Sequence, residues 1–103
     1  MKLKPTLTWL PMLALLLPAA ALAQDASAVR SLAATCANCH GSNGVSRGEV
    51  PSLAGVPAET TIAKMAAFKS GALSATIMQQ IAKGYSDEQI RLLAGYFAAQ
   101  PAK

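Results

Sequence analysis

Four stretches of the chain space their apolar residues as a helix does, and none alternates with period two over a useful length. The clearest runs from Ser86 to Gln100, where Ile90, Leu93, Ala94 and Phe97 make a stripe widened by Leu92 and Tyr96. Ser86 and Gln89 have capping-box spacing, Asp87 and Glu88 suit the positive first turn, and Pro101 closes the segment. Pro57 to Ser70 predicts a second helix, with Ile62, Met65, Ala66 and Lys69 on one side, Phe68 flanking them, and Gly71 as a stop. Asp25 to Thr35 predicts a third, on Val29, Leu32 and Ala33, with small residues that let another helix approach closely. Ser74 to Lys83 predicts a shorter one, on Ile77, Met78 and Ile81, ended by Gly84.

Between the first and second of these in chain order lies Gly41 to Pro57, rich in Gly, Ser, Asn and Pro. Seventeen residues without regular structure is long for a small domain, and such loops usually have a functional cause. The fold class expected is all-α, in one domain, without a repeat or an internal linker.

The first residues change the size of that domain. Met1 to Lys4 is a short basic start, Trp9 to Leu17 is apolar apart from Pro11, and Ala21-Leu22-Ala23 ends in a small-x-small pattern. This predicts a secretory signal over 1–23, cut after Ala23, with bacterial periplasm as the destination. The apolar run is short and interrupted by prolines, which argues against a retained membrane anchor. The domain is then 24–103, 80 residues with too little core to be comfortable alone. Whole-chain net charge is +4, but Lys2 and Lys4 leave with the signal, so the mature chain is close to +2. With no basic tract, aromatic platform or phosphate-cradling loop, nucleic-acid binding is not expected.

Candidate chemistry is concentrated in Cys36-Ala37-Asn38-Cys39-His40, which holds both cysteines and the single histidine of the chain. A C-x-x-C-H run reads as a site for attaching a c-type haem. Thiols three positions apart can each add to one vinyl group at the haem edge, and the next imidazole is carried beneath the iron. A thioredoxin-like dithiol needs a βαβ context that this chain lacks. A zinc site wants four protein ligands, or three with an open position. A plain disulfide leaves His40 unexplained. One covalent haem c also supplies the apolar centre that 80 residues lack, and the long loop has something to wrap. Within that loop Pro51 is a candidate to orient the ring, since its carbonyl can accept from the far nitrogen of His40; the alternative is an ordinary loop proline.

With one histidine, the second axial ligand is a methionine, a weaker group, or nothing. Met1 and Met12 leave with the signal, so the choice is Met65 or Met78. Met65 sits inside a helical pattern, where a thioether is more often core filler. Met78 lies eight residues before the capped last helix, where the chain turns back, and is preferred. Met/His ligation raises the reduction potential.

Together these features resemble the class I monohaem cytochromes c over nearly all of the mature domain. The resemblance rests on Cys36 to His40, on Val50-Pro51-Ser52-Leu53-Ala54-Gly55, on a methionine, and on Leu93-Ala94-Gly95-Tyr96-Phe97. It implies three to four helices wrapped around one covalent haem, with Val29, Leu32 and Ala33 packed on Leu93, Tyr96 and Phe97. A narrower run, Phe68-Lys69-Ser70-Gly71, Ala75-Thr76-Ile77-Met78 and Ile81 to Glu88, is similar to the cytochrome subunit of flavocytochrome c sulfide dehydrogenase. That likeness implies Met78 as axial ligand and a flavoprotein as electron donor. Well-known members of that subunit family carry two haem domains, and this chain has one. The function expected is one-electron transfer in the periplasm, not enzyme catalysis. Lys69, Lys83 and Arg47 are candidates to flank the haem edge and steer a partner. The alternatives are a free soluble shuttle to a terminal oxidase or reductase and an open-site haem enzyme or sensor.

Overall fold

The computed structural model of this protein describes residues 2, 3, 5 and 17–103, and the side chains from residue 25 onward among the latter. Most of the expected secretory signal lies outside the described residues. Among those described there is no strand, and no helix is long and apolar enough to cross a membrane. The helices are α1 (Leu17–His40), α2 (Ala58–Ser70), α3 (Met78–Lys83) and α4 (Asp87–Ala98), with one 3-10 turn at Ser42–Gly44.

α1 is longer than its apolar stripe. It continues past Thr35 through both cysteines to His40, because alanine-rich sequence sustains a helix after the buried face has run out. Gly41 ends it. Its N–H donates to the Ala37 carbonyl at 3.0 Å, and its backbone then turns to φ 88°, ψ 163°, a region open in practice to glycine alone. A Cβ here would lie 1.8 Å from the Val45 carbonyl oxygen. Gly41→Ala is therefore expected to cost the loaded protein about 2–3 kcal/mol, read from denaturant unfolding. A change within about 0.5 kcal/mol would show that the turn relaxes freely.

α2 starts after Pro57 and ends at Gly71, whose left-handed backbone (φ 84°) lets its N–H reach the Phe68 carbonyl at 3.2 Å. α3 begins at Met78 rather than Ser74. The residues before it form turns and bends, and Thr76 and Ile77 are β-branched, which disfavours helix. α4 has the expected capping box: the Ser86 hydroxyl accepts from Gln89 N–H at 3.1 Å, and Gln89 Oε1 accepts from Ser86 N–H at 2.9 Å.

The core lies where α1 meets α4. Ala33, Leu93 and Phe97 are buried together, with Leu32, Cys36, Leu53, Tyr85 and Tyr96 packed around them. Val29 is half-buried outside this cluster, and Leu92, expected to widen the stripe, is 46% exposed on the outer face of α4. The core is small: four of the seven buried apolar residues are alanines, Ala33, Ala54, Ala82 and Ala94. α2 buries none of its side chains fully, and Ile62, Met65 and Phe68 all stop half-buried.

Candidate functional site

The final turns of α1 carry Cys36, Cys39 and His40 on continuous helix, so their spacing is fixed by the backbone. Both cysteines are free thiols, Cys36 half-buried and Cys39 exposed. Burial pushes the Cys36 thiol above its ordinary value. Once bonded through sulfur to carbon, this group no longer titrates, so the shift concerns only the free thiol.

His40 is oriented from outside its own helix. Its Nδ1 lies 2.6 Å from the Pro51 carbonyl oxygen. A carbonyl only accepts, so Nδ1 carries the proton and donates, which leaves the Nε2 lone pair for a metal. The loop that brings Pro51 there is pinned on both sides. Leu53 and Ala54 N–H groups donate to the Gly44 carbonyl at 2.8 and 3.1 Å, and the Ser52 hydroxyl accepts from Ser46 N–H at 2.9 Å. Gly44 is itself buried at φ 79°, where a Cβ would meet the Phe97 ring at 2.7 Å and Ala54 N at 2.9 Å. The long loop is thus ordered by the 3-10 turn and α4, and its order delivers one carbonyl to one imidazole.

Other expected residues fall as follows. Met78 is the first residue of α3 and half-buried; Met65 is mid-α2 and also half-buried, so burial does not separate them. Lys69 pairs with Asp87 at 3.4 Å across α2 and α4, while Lys83 and Arg47 are exposed. Two depressions beside Ser42 and Asn43 have none of Cys36, Cys39, His40 or Met78 in their walls, so neither of these hollows is the site.

Does this arrangement fit a haem? Among the described residues no three His, Cys, Asp or Glu side chains converge as ligands of one ion. Two thiols and an imidazole that do not converge suit a group large enough to meet each at a different atom. The half-buried apolar side chains of α2, with Leu53, Ile81 and Met78, give such a planar apolar group surface to cover. The residues present fit.

Side-chain contacts that the sequence did not announce also shape the site. Thr35 Oγ1 and the Tyr85 hydroxyl lie 2.9 Å apart, and the Tyr96 hydroxyl donates to Asn43 Oδ1 at 3.1 Å. Their partners are 50 and 53 positions apart, so no local pattern could have paired them.

An all-α domain with an oriented imidazole and two free thiols at one helix end defines a class, the electron-transfer proteins built on haem c. Comparison with known proteins agrees: the family model described as Cytochrome c matches residues 26–99, and the chain belongs to the cytochrome c family. It is 41% identical over 66 residues to the cytochrome subunit of sulfide dehydrogenase of Chlorobaculum tepidum, covering 64% of this chain and 60% of that protein. It is 40% identical over 72 residues to the thiosulfate dehydrogenase electron acceptor of Stutzerimonas stutzeri, covering 68% of this chain and 33% of that protein. It is 33% identical over 82 residues to cytochrome c-554(548) of Halomonas halodenitrificans, covering 76% of this chain and 99% of that protein. The matched region therefore spans about three-fifths and one third of the first two relatives. Haem c binding and a part in electron transfer follow from the family.

Proposed function

We propose that this chain is a periplasmic one-electron carrier holding a single haem c, bonded to Cys36 and Cys39 and ligated by His40 and Met78. The haem supplies a ferrous/ferric couple. The chain's own residues would do the rest: the thiols of Cys36 and Cys39 would hold the ring, Pro51 sets the tautomer and orientation of His40, and His40 and Met78 would be the iron's protein ligands. The single observation behind this reading is the His40–Pro51 contact of 2.6 Å, which frees Nε2 on the helix that bears both thiols. The donor proposed is a flavoprotein such as a sulfide dehydrogenase, supported by the 41% identity to the cytochrome subunit of one. A free shuttle is the second reading, supported by the match to 99% of cytochrome c-554(548). Purification from native periplasm separates the two, because a flavin-containing protein should accompany a subunit and not a shuttle.

Export and attachment are tested on the same material. The mature protein is expected to begin at Gln24, in line with the small-x-small cut after Ala23. Its colour should survive denaturation and extraction with acidified acetone, and intact mass should show one haem per chain. An unprocessed N-terminus would overturn the export reading, and haem passing into the solvent would overturn the thioether bonds.

A further inference from the structure

The Thr35–Tyr85 hydrogen bond joins the two halves of the proposed site. Thr35 immediately precedes Cys36, and its Oγ1 also lies 2.9 Å from the Leu32 carbonyl. That carbonyl takes the threonine proton, so Tyr85 is the donor to Thr35 Oγ1 at 2.9 Å. On its other side Tyr85 continues α3. Gly84 N–H donates to Ile81 O at 3.0 Å and Tyr85 N–H to Ala82 O at 3.3 Å, while Ala82 is fully buried. Met78 opens this short helix and Tyr85 follows its end, so the two move with one backbone unit. The Tyr85 ring packs on the Ala33, Leu93 and Phe97 cluster, which holds the hydroxyl at α1.

We infer that Tyr85 is a positioning residue for the axial methionine, acting by pinning α3 to the turn of α1 that carries the first thiol. The inference rests on Met78 being the ligand. Withdrawal of α3 would carry the Met78 thioether away from a haem held on α1. A six-residue helix is the kind of unit that opens locally. The Tyr85 hydrogen bond exists only while α3 is seated, so it shifts the equilibrium toward the ligated state by its own net strength. The Tyr96–Asn43 hydrogen bond is the natural control. It has similar chemistry and length, 3.1 Å, but joins α4 to the 3-10 turn after His40 and has no part in holding α3.

The test uses ferric holoprotein with imidazole as the probe, which competes with Met78 for iron. Tyr85→Phe and Thr35→Val should each raise imidazole affinity about five-fold, the change one net hydrogen bond makes in an equilibrium. The double variant should go no further, and Thr35→Ser, which keeps the hydroxyl, should behave as the unaltered protein. Tyr96→Phe should leave imidazole affinity unchanged even where it lowers the unfolding midpoint. Equal affinity gains in Tyr96→Phe and Tyr85→Phe would reduce the effect to general stability and overturn the inference, as would no gain in Tyr85→Phe. If Tyr85→Phe does not accumulate, Thr35→Val alone decides, with the same two outcomes. In a Met78→Ala background Tyr85→Phe should have no further effect. If Met78→Ala itself binds imidazole no better than the unaltered protein, the ligation reading fails, and Tyr85 fails with it for a distinguishable reason.

Discussion

Replacing Met78 with alanine is expected to lower the reduction potential by a sizeable part of the roughly 0.8 V over which axial ligands set haem potentials. A thioether is soft and neutral, so it favours ferrous iron, whereas the water or hydroxide that would replace it is a hard oxygen donor and favours ferric. The same change should let the ferrous protein bind carbon monoxide rapidly, because water is displaced far more easily than a tethered ligand. Met65→Ala provides the contrast. Its thioether sits half-buried in the middle of α2, so its removal should cost about 1–2 kcal/mol of packing, below the range for a fully buried methionine, and leave potential and spectrum alone. Potentiometry on the two variants decides between them. An unmoved potential in Met78→Ala together with an opened iron in Met65→Ala would transfer the role to Met65. Rapid carbon monoxide binding by the unaltered protein would favour the open-site enzyme or sensor.

How much of this was legible in the chain depends on whether the signal was local. α4 could be read closely because its cap, Ser86 with Gln89, and its stripe, Ile90 to Phe97, both lie within a few residues of the structure they cause. The end of α1 could not be read from periodicity. After Ala33 the buried face stops, and what carries the helix on to His40 is backbone propensity until Gly41 breaks it. The motif Cys36 to His40 was legible as chemistry, and Pro51 could be paired with His40 because a ligating imidazole needs an acceptor for its other N–H. The devices that hold Pro51 in place were not legible, because the Gly44 carbonyl receives Leu53 and Ala54 from nine and ten residues away. Thr35 with Tyr85 and Asn43 with Tyr96 were out of reach for the same reason: composition and spacing do not encode a contact between residues half a chain apart.

The other large effect is expected on the fold itself, when Cys36 and Cys39 are both replaced by serine. In the described structure only three large side chains, Ile90, Leu93 and Phe97, are buried, and the remaining buried apolar residues are alanines with little surface to hide. Ile62, Met65 and Phe68 of α2 stop half-buried, and Val50, Leu73 and Ile77 lie 38–56% exposed. A chain of this size is marginal even with a full core, and a domain this poor in buried apolar surface cannot offset the conformational entropy lost on folding. In the proposed holoprotein the haem is the missing apolar mass, and two bonds to α1 would keep it at high local concentration beside the faces that need covering. Without those bonds only His40 and Met78 would retain it, against dilution. The double variant is therefore expected to be largely haem-free after gel filtration, with helical circular dichroism well below that of the holoprotein and no cooperative thermal transition. A haem-free variant that kept full helicity and a sharp melt would show that the four helices make their own core. The half-buried faces of α2 would then need a different occupant.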